Sequence, residues 1–318
     1  MINISYNLSS VLKNNLHKAD TLRREILLTP ISSKFEIQLR WDCVINRIFQ
    51  TLRLSDNSLK KTGIIKILDL HSGVAQIEKK NQTAEQKEVI NYKKALDHIS
   101  AHWLVTKKLV ILNDILILYD IFSKGRLVAP RSEIEELLNY VQIQDEHPII
   151  QAGIANIEIQ KIRPFSNDND KLSRLLSYIF LYKYGYDVRG LIEFEEPWSE
   201  NKAAYLDAVE YGIQAASVTI WLEFFSNSII LQLDEVYKKI ISGSPDFFVK
   251  ENSLWELNDR QKAILNLLDK PDSSITNKKV QKHFKISQIT ASRDLSKLTT
   301  LGLLLSHGKG RSVYYIRA

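Results

Sequence analysis

The stretch KIRPFSNDNDKLSRLL, residues 161 to 176, sets carboxylates, amides and cations around a Pro-Phe pair. A polar, acidic loop follows that pair and leads into a helix carrying Lys171 and Arg174 on its first turns. Three readings are open: an active site, the remains of one, or an ordinary helix start. In the last, Asn and Asp serve as caps and acidic side chains suit the positive end of the helix.

Helices must position this loop. HPIIQAGIANIEIQKI precedes it and DKLSRLLSYIFLYKYG follows it, both apolar at helical spacing. SSKFEIQLRWDCVINRIFQTLRL places Phe35, Leu39, Val44, Ile48 and Leu52 on one face. SLKKTGIIKILDL, AEQKEVINYKKALDHISAHWLV and SEIEELLNYVQ continue the pattern, as does the long run NKAAYLDAVEYGIQAASVTIWLEFFSNSIILQLDEVYKKII. Thr83 with Gln86 three residues later reads as a capping box, and Ser132 and Ser199 as N-caps. Gly, Pro and Ser cluster in SGSPDFFVKENS, which marks a linker.

With 318 residues the chain has room for two or more domains. Only 11 Gly and 7 Pro argue against a turn-rich all-β fold. No basic, then apolar, leader opens the chain. The most apolar stretch, LVILNDILILYDIF, is broken by Asn113 and Asp114 and is too short for a bilayer. One cysteine, Cys43, forms no internal disulfide, and no Cys/His metal cluster is visible. These features give the expectation of a cytoplasmic protein without membrane contact. The net charge of +6 is uneven. From Lys250 onward there are 13 Lys/Arg against 6 Asp/Glu, a net of +7, and the rest carries 30 against 31. A basic appendage on a neutral body is the footprint of nucleic-acid binding.

The tail reads as a helix (LNDRQKAILNLLDK, with Ile264, Leu267 and Leu268 on its apolar face), then SITNKKVQKHFKI capped by Thr276, then SQITASRDLSKLTTLG capped by Ser287. Two short strands around a Gly-Lys-Gly turn complete it. This order resembles a winged helix-turn-helix domain, whose second motif helix enters the major groove. The resemblance makes Gln288, Thr290, Ser292, Arg293 and Lys297 recognition-helix candidates, with Lys309 and Arg311 as phosphate contacts of the wing. Ile289, Leu295 and Leu298 are expected in the core.

The body resembles the Fic (filamentation induced by cAMP) family, whose hallmark runs His-Pro-Phe-x-Asp/Glu-Gly-Asn-Gly-Arg-x-x-Arg. Here it reads Arg163-Pro164-Phe165-Ser166-Asn167-Asp168-Asn169-Asp170-Lys171-Leu172-Ser173-Arg174. The flanking helices also match, and the resemblance extends over about residues 30 to 318. It implies a mainly α fold, a helical Fic-like core followed by a small α+β winged helix. It further implies transfer of AMP from ATP to a protein hydroxyl with Mg²⁺, the loop amides at a helix start facing the phosphates. Phe165, Asp168, Asn169, Asp170, Lys171 and Arg174 would then line the nucleotide site.

The departures fall on the chemistry. Arg163 stands at the base position, and a guanidinium takes no proton near neutral pH. Asn167 replaces the metal carboxylate, leaving Asp168 one place later as a weak substitute ligand for Mg²⁺. Asp168 and Asp170 replace glycines, adding negative charge where phosphates are expected. Each such contact costs on the order of 1 kcal/mol or more at the intermediate dielectric of a cleft. Lys171 keeps a charge but loses a bidentate fork. Pro164, Phe165, Asn169 and Arg174 match.

Many family members block ATP with the glutamate of a Ser/Thr-x-x-x-Glu-Gly/Asn helix. Glu78 in HSGVAQIEKKNQ is the corresponding inhibitory candidate, poised for Arg174, although Val74 and Lys79 depart from the pattern. The substrate-facing hairpin of the family would fall in SKGRLVAPRS, residues 123 to 132, which is short for a hairpin.

The expected organisation is a helical region at 1–100 containing the inhibitory segment around 72–80, a Fic-like core at 101–241, a linker at 242–253 and a winged helix at 254–318. The expected function is a degenerate Fic protein without AMP transfer, binding DNA through its tail. The alternatives are a working or altered AMP transferase with a protein target, and a non-catalytic nucleotide sensor. The Fic body would serve as sensor, scaffold or homodimer module.

Overall fold

In the computed structural model, residues 4–31, 33–72, 82–143, 146–242, 257–268, 274–300, 303–308 and 313–317 are described. They form fourteen helices and one two-stranded sheet. The body is helical: α1 (Ser10–Leu28), α2 (Ser33–Leu54), α3 (Lys61–Ser72), α4 (Ala84–Trp103), α5 (Leu112–Phe122) and α6 (Arg131–Ile143). After these come α7 (Pro148–Ile162), α8 (Asn169–Lys183), α9 (Glu195–Glu200), α10 (Lys202–Gln214) and α11 (Thr219–Ser242).

The centre of the body is the α7–α8 pair. Every residue from Ile149 to Gln160 is buried, so α7 is covered on all sides. A helix buried all round must satisfy its polar side chains internally. Asn156 Nδ2 donates to Ser177 Oγ on α8 at 3.0 Å, and Gln160 Nε2 donates to Asn156 Oδ1 at 2.7 Å. Ser177 Oγ in turn donates to the Ala152 carbonyl at 3.1 Å. These bonds fix the register of the hairpin whose connection is the loop singled out above. Around the pair lie α4 against α8, α6 and α11 against α7, and α1 against α11. An aromatic stack of Phe194, Trp198, Trp221 and Phe225 fills the space between α9 and α11.

Sequence periodicity locates most of these elements, with some differences. The long run from Asn201 onward is two helices, broken at 215–218. Thr83 and Gln86 do form a capping box. Ser132 and Ser199 lie inside α6 and α9 rather than before them, and Asn201 caps α10 through Oδ1, which accepts from Ala204 N–H at 3.2 Å.

The tail has its own core. It contains α12 (Asp259–Asn266), α13 (Asn277–Phe284), α14 (Gln288–Thr300), β1 (Leu304–His307) and β2 (Tyr314–Arg317). Ile264, Leu268, Val280, Ala291, Leu295, Leu298 and Leu304 pack together. Leu267 is exposed and Leu265 takes its place in the core. β1 and β2 are antiparallel, with Leu304 opposite Arg317, and Ile275 bridges to Tyr315 on the other side of β2. The linker expected at 242–253 lies outside the described residues apart from Ser242.

Gly153 marks the closest approach of α7 to α11. A Cβ there would meet Leu222 Cδ2 at 2.7 Å and Phe225 Cδ1 at 3.2 Å, and Trp221 Nε1 donates to the Gly153 carbonyl at 2.8 Å. Gly153→Val should therefore lower stability by about 2 kcal/mol through overpacking, measured as a reduced urea midpoint with unchanged slope.

Candidate functional site

Helix α7 ends at Arg163, whose backbone turns into the left-handed region (φ 48°, ψ 61°). A non-glycine residue there costs about 1 kcal/mol, and surrounding contacts hold the turn. Pro164 O accepts from Val128 N–H at 2.8 Å and Ser166 N–H donates to Arg126 O at 2.9 Å. The 126–129 segment thus runs as an extended strip along the loop, bridged between Leu127 and Phe165. The region expected to be too short for a hairpin forms this single strip. Gly125 makes the approach possible, since a Cβ there would collide with the Asn167 and Tyr119 side-chain oxygens.

Phe165 is buried and stacks on Tyr119 with ring centroids 3.6 Å apart and planes 6° from parallel. Asn169, at the start of α8, holds the Phe165 backbone on both sides. Its Oδ1 accepts from Phe165 N–H at 2.9 Å and its Nδ2 donates to Phe165 O at 2.7 Å. These two matched hallmark residues build the loop.

Asp168 occupies the N-cap position of α8 in the left-handed conformation (φ 56°, ψ 23°), and its side chain makes no cap bond. Asp tolerates this conformation better than most residues, so the chain path expected of a glycine is kept. The carboxylate faces other groups: Oδ2 accepts from Ser123 Oγ at 2.6 Å and from Asn167 Nδ2 at 2.6 Å, and Oδ1 accepts from Lys171 Nζ at 2.8 Å. Burial pushes this carboxyl up, but those bonds and the Lys171 charge outweigh it and hold it below its ordinary range.

Lys171 is almost wholly buried, and its ammonium also donates to Glu88 of α4. Burial opposes its charge, and the bonds to Asp168 and Glu88 overcome that, raising its pKa. Glu88 is steadied by Asn57, whose Nδ2 donates to Glu88 Oε2 at 3.0 Å. Arg174, one turn on, is 1% exposed. Its Nη2 donates to Asp170 Oδ2 at 2.9 Å, and Ser55 Oγ donates to the same oxygen at 3.2 Å. Burial works against the guanidinium, but Asp170, Tyr205, Tyr92 and Glu195 raise its pKa. Asp170 is lowered in turn: burial raises it, and the Arg174 charge and hydrogen bond outweigh that. Behind Arg174, Tyr178 OH donates to buried Glu195 Oε2 at 2.5 Å.

The structure places Phe165, Asp168, Asn169, Asp170, Lys171 and Arg174 around one loop and leaves Arg163 exposed at the surface. Glu78 lies outside the described residues; among the described residues, Glu88 of α4 pairs with Lys171. Glu88, Ser55, Ser123 and Tyr119 were not visible as site residues in the sequence. Each is an ordinary polar residue of a distant helix or loop, and no spacing signal marks it. The loop is also more than a capped helix start, because its aspartates pair with the side chains of Lys171 and Arg174.

ATP with Mg²⁺, which the sequence resemblance implies, does not fit this donor set as it stands. Both Asp168 oxygens are engaged, the residue before it is a neutral amide, and Lys171 and Arg174 are each matched to a carboxylate of the protein itself. No group of three or more His, Cys, Asp or Glu side chains among the described residues could hold a metal ion.

In the tail, α14 presents Gln288 and Arg293 to solvent, with Thr290, Ser292 and Lys297 half-buried. Ser287 Oγ caps the helix by accepting from Thr290 N–H at 3.2 Å. Asn277 Nδ2 donates to Ser292 Oγ at 2.8 Å and joins the two motif helices. Leu295 and Leu298 are core residues as expected, whereas Ile289 is 61% exposed beside Gln288, because the helix has only just begun and this face has no partner. Arg260 and Gln261 of α12 bind Asp294 of α14 at 2.5 and 2.8 Å. Lys309 and Arg311 lie outside the described residues. No described helix is long and apolar enough to cross a membrane.

A helical body with this α7–loop–α8 hairpin, followed by a winged helix-turn-helix, is the Fic fold with a DNA-binding-type module. Residues 260–314 match the DeoR-like helix-turn-helix domain. The chain is similar to the crystal structure of a Fic family protein from Desulfovibrio desulfuricans G20, at 15% identity and a TM-score of 0.62, covering 100% of this chain and 98% of that one. It is also similar to Fic-1 from C. elegans (15% identity, 74% and 75% of the two chains, TM-score 0.60). A third similar structure is a Fic domain containing signaling protein from Bacteroides thetaiotaomicron (16% identity, 74% and 98% coverage, TM-score 0.57). Among curated proteins, none matches the sequence.

Removing the Asp170 charge should strand Arg174. Fully buried pairs lose about 3–5 kcal/mol on such a change; Asp170 is half-exposed, so Asp170→Asn should cost roughly 2 kcal/mol in a urea melt. Both aspartates have folded pKa values below their ordinary 3.8. Their stabilisation is therefore complete above that value and is lost as pH falls through the folded values. The gap between wild type and Asp170→Asn should close on acidification below pH 3.8, and a constant gap would refute the pairing.

Proposed function

We propose that the chain is a DNA-binding regulator whose Fic-fold body no longer transfers AMP. The observation that carries this reading is the internal neutralisation of the α8 cations. Lys171 is held by Asp168 and Glu88, and Arg174 by Asp170. A nucleotide's phosphates would have to displace these carboxylates and also meet their charge. Like charges held a few ångströms apart in a partly buried site repel by several kcal/mol. Arg163 at the base position adds a second barrier, since it cannot accept the proton of an acceptor hydroxyl. The body then serves as a scaffold for the tail.

The DNA half of the reading is supported by the DeoR-like match, the net +7 from Lys250 onward and the exposed start of α14. Gln288 is suited to pair with adenine edges and Arg293 with guanine edges or phosphate, and Ile289 offers an apolar contact for a thymine methyl.

Calorimetric titration with ATP and Mg²⁺ tests the closed loop. Wild type should show no binding at millimolar ATP, whereas Asp168→Gly/Glu88→Gln/Asp170→Gly, which removes every carboxylate paired with Lys171 and Arg174, should gain it. Magnesium-dependent binding by wild type would favour the nucleotide-sensor reading, and transfer to a protein would restore the enzyme reading. For the tail, Arg293→Ala should weaken binding to its selected DNA by about 1–3 kcal/mol, and wild-type affinity should fall steeply with salt through counterion release. A flat salt response would sink DNA as the partner.

A further inference from the structure

Away from the loop, a cavity of about 100 Å³ opens between α2, α3, α11 and the segment before α9. It shares no residue with the hallmark loop. Asp42, Asn46, Lys61, Glu193, Gln232 and Lys239 supply its polar lining, and Leu39, Ile65, Leu191 and Val236 its apolar wall. A water takes roughly 10–15 Å³ on this measure, so the space admits a ligand of a few heavy atoms.

The unusual feature is the pair of carboxyls. Glu193 is 5% exposed, and its Oε1 has no hydrogen-bond partner among the described residues. Asp42 Oδ2 is likewise buried without one. Leaving such acceptors unmet is costly, and a fold that only needed a filled interior could place apolar side chains there. We propose that this cavity binds a small organic cation, a primary ammonium on a short aliphatic chain, with the ammonium on the Glu193 carboxylate and the chain along the apolar wall.

The cations already present, Lys61 and Lys239, oppose a further positive charge, so the ammonium is favoured only once a carboxyl ionises. Burial raises Glu193 to about 8, helped by Glu196 and Glu195 and opposed by Lys239 and Arg47. Burial also raises Asp42 to about 8, against Lys239 and Lys61. Buried Cys43, on the same wall, is pushed up to about 12 and stays a neutral thiol. Near neutral pH the two carboxyls are therefore largely protonated. A cation that pairs with Glu193 must displace its proton, so binding and proton release are linked.

The test is calorimetric titration of the full chain with n-butylammonium chloride, using n-butanol as the neutral counterpart. Affinity for the cation should rise about tenfold or more between pH 6.5 and 9, as a carboxyl with a pKa near 8 ionises. Heats at neutral pH should depend on the buffer, reporting close to one proton released per ligand. Glu193→Gln, which keeps the shape, should abolish the pH dependence and most of the affinity; should that variant fail to fold, Ile65→Phe, which fills the apolar end of the cavity, should abolish binding at every pH. Folding of Glu193→Gln is checked by its melt. A raised carboxyl pKa means wild type loses stability as pH climbs toward 8, so the variant should melt at or above wild type at pH 9. Absence of binding, equal binding of n-butanol, or affinity independent of pH would each overturn the proposal.

Discussion

An ammonium buried in the first turn of a helix has to be neutralised where it stands. Lys171 meets this constraint with two carboxylates, Asp168 from its own loop and Glu88 from α4. Because Glu88 is fixed by Asn57 and Asp168 by Ser123 and Asn167, one charge ties together α2–α3, α4, the strip after α5 and the start of α8. The same logic repeats one turn later, where Arg174 draws in Asp170 and through it Ser55. Desolvating either cation without its partner would cost several kcal/mol. The ion pairs are thus conditions for packing α4 and α2 against α8, whatever net energy they add.

Geometry and electrostatics part company in this loop. The path of the chain at the start of α8 is set by a left-handed residue at 168, whose side chain makes no cap bond, and by an asparagine clamp on Phe165. Such a terminus favours negative charge through its amides and dipole. Here the negative charge comes from Asp168 and Asp170, which the chain carries itself. Side chains tethered to the helix cost little entropy to place, and on the proposed reading they compete with a soluble phosphate for the same cations. The tolerance of Asp for left-handed backbone lets this happen without rebuilding the turn.

Much of the fold was legible because its helices are long and periodic. The α7–α8 hairpin, the tail order and the Thr83 and Thr276 caps follow from spacing and cap chemistry. Helix α1 is amphipathic at Leu12, Leu16, Ala19, Leu22 and Ile26, yet its polar composition hides that stripe until a partner, α11, is known. The break at 215–218 carries no Gly or Pro, so nothing in the sequence marks it. In the site, the hallmark positions were legible one by one. The partners Glu88, Ser55 and Ser123 were not, because they arrive through tertiary packing and no local rule selects among a helix's many carboxylates. Ile289 failed for a related reason: an apolar residue in the first turn of a recognition helix looks like core until the face it occupies is known.

The departures from the hallmark are best understood as coupled replacements. Asp168 and Lys171 are each other's partners, as are Asp170 and Arg174. An aspartate at 168 beside a bidentate arginine at 171 would offer a fork to a site shaped for one ammonium between two carboxylates. A glycine at 170 would leave the buried Arg174 guanidinium without its only short ion pair among the described residues. Single changes toward the hallmark therefore break a pair without completing the pattern. Coupling of this kind stabilises the present arrangement: once both pairs are formed, each charge is held in place by the other.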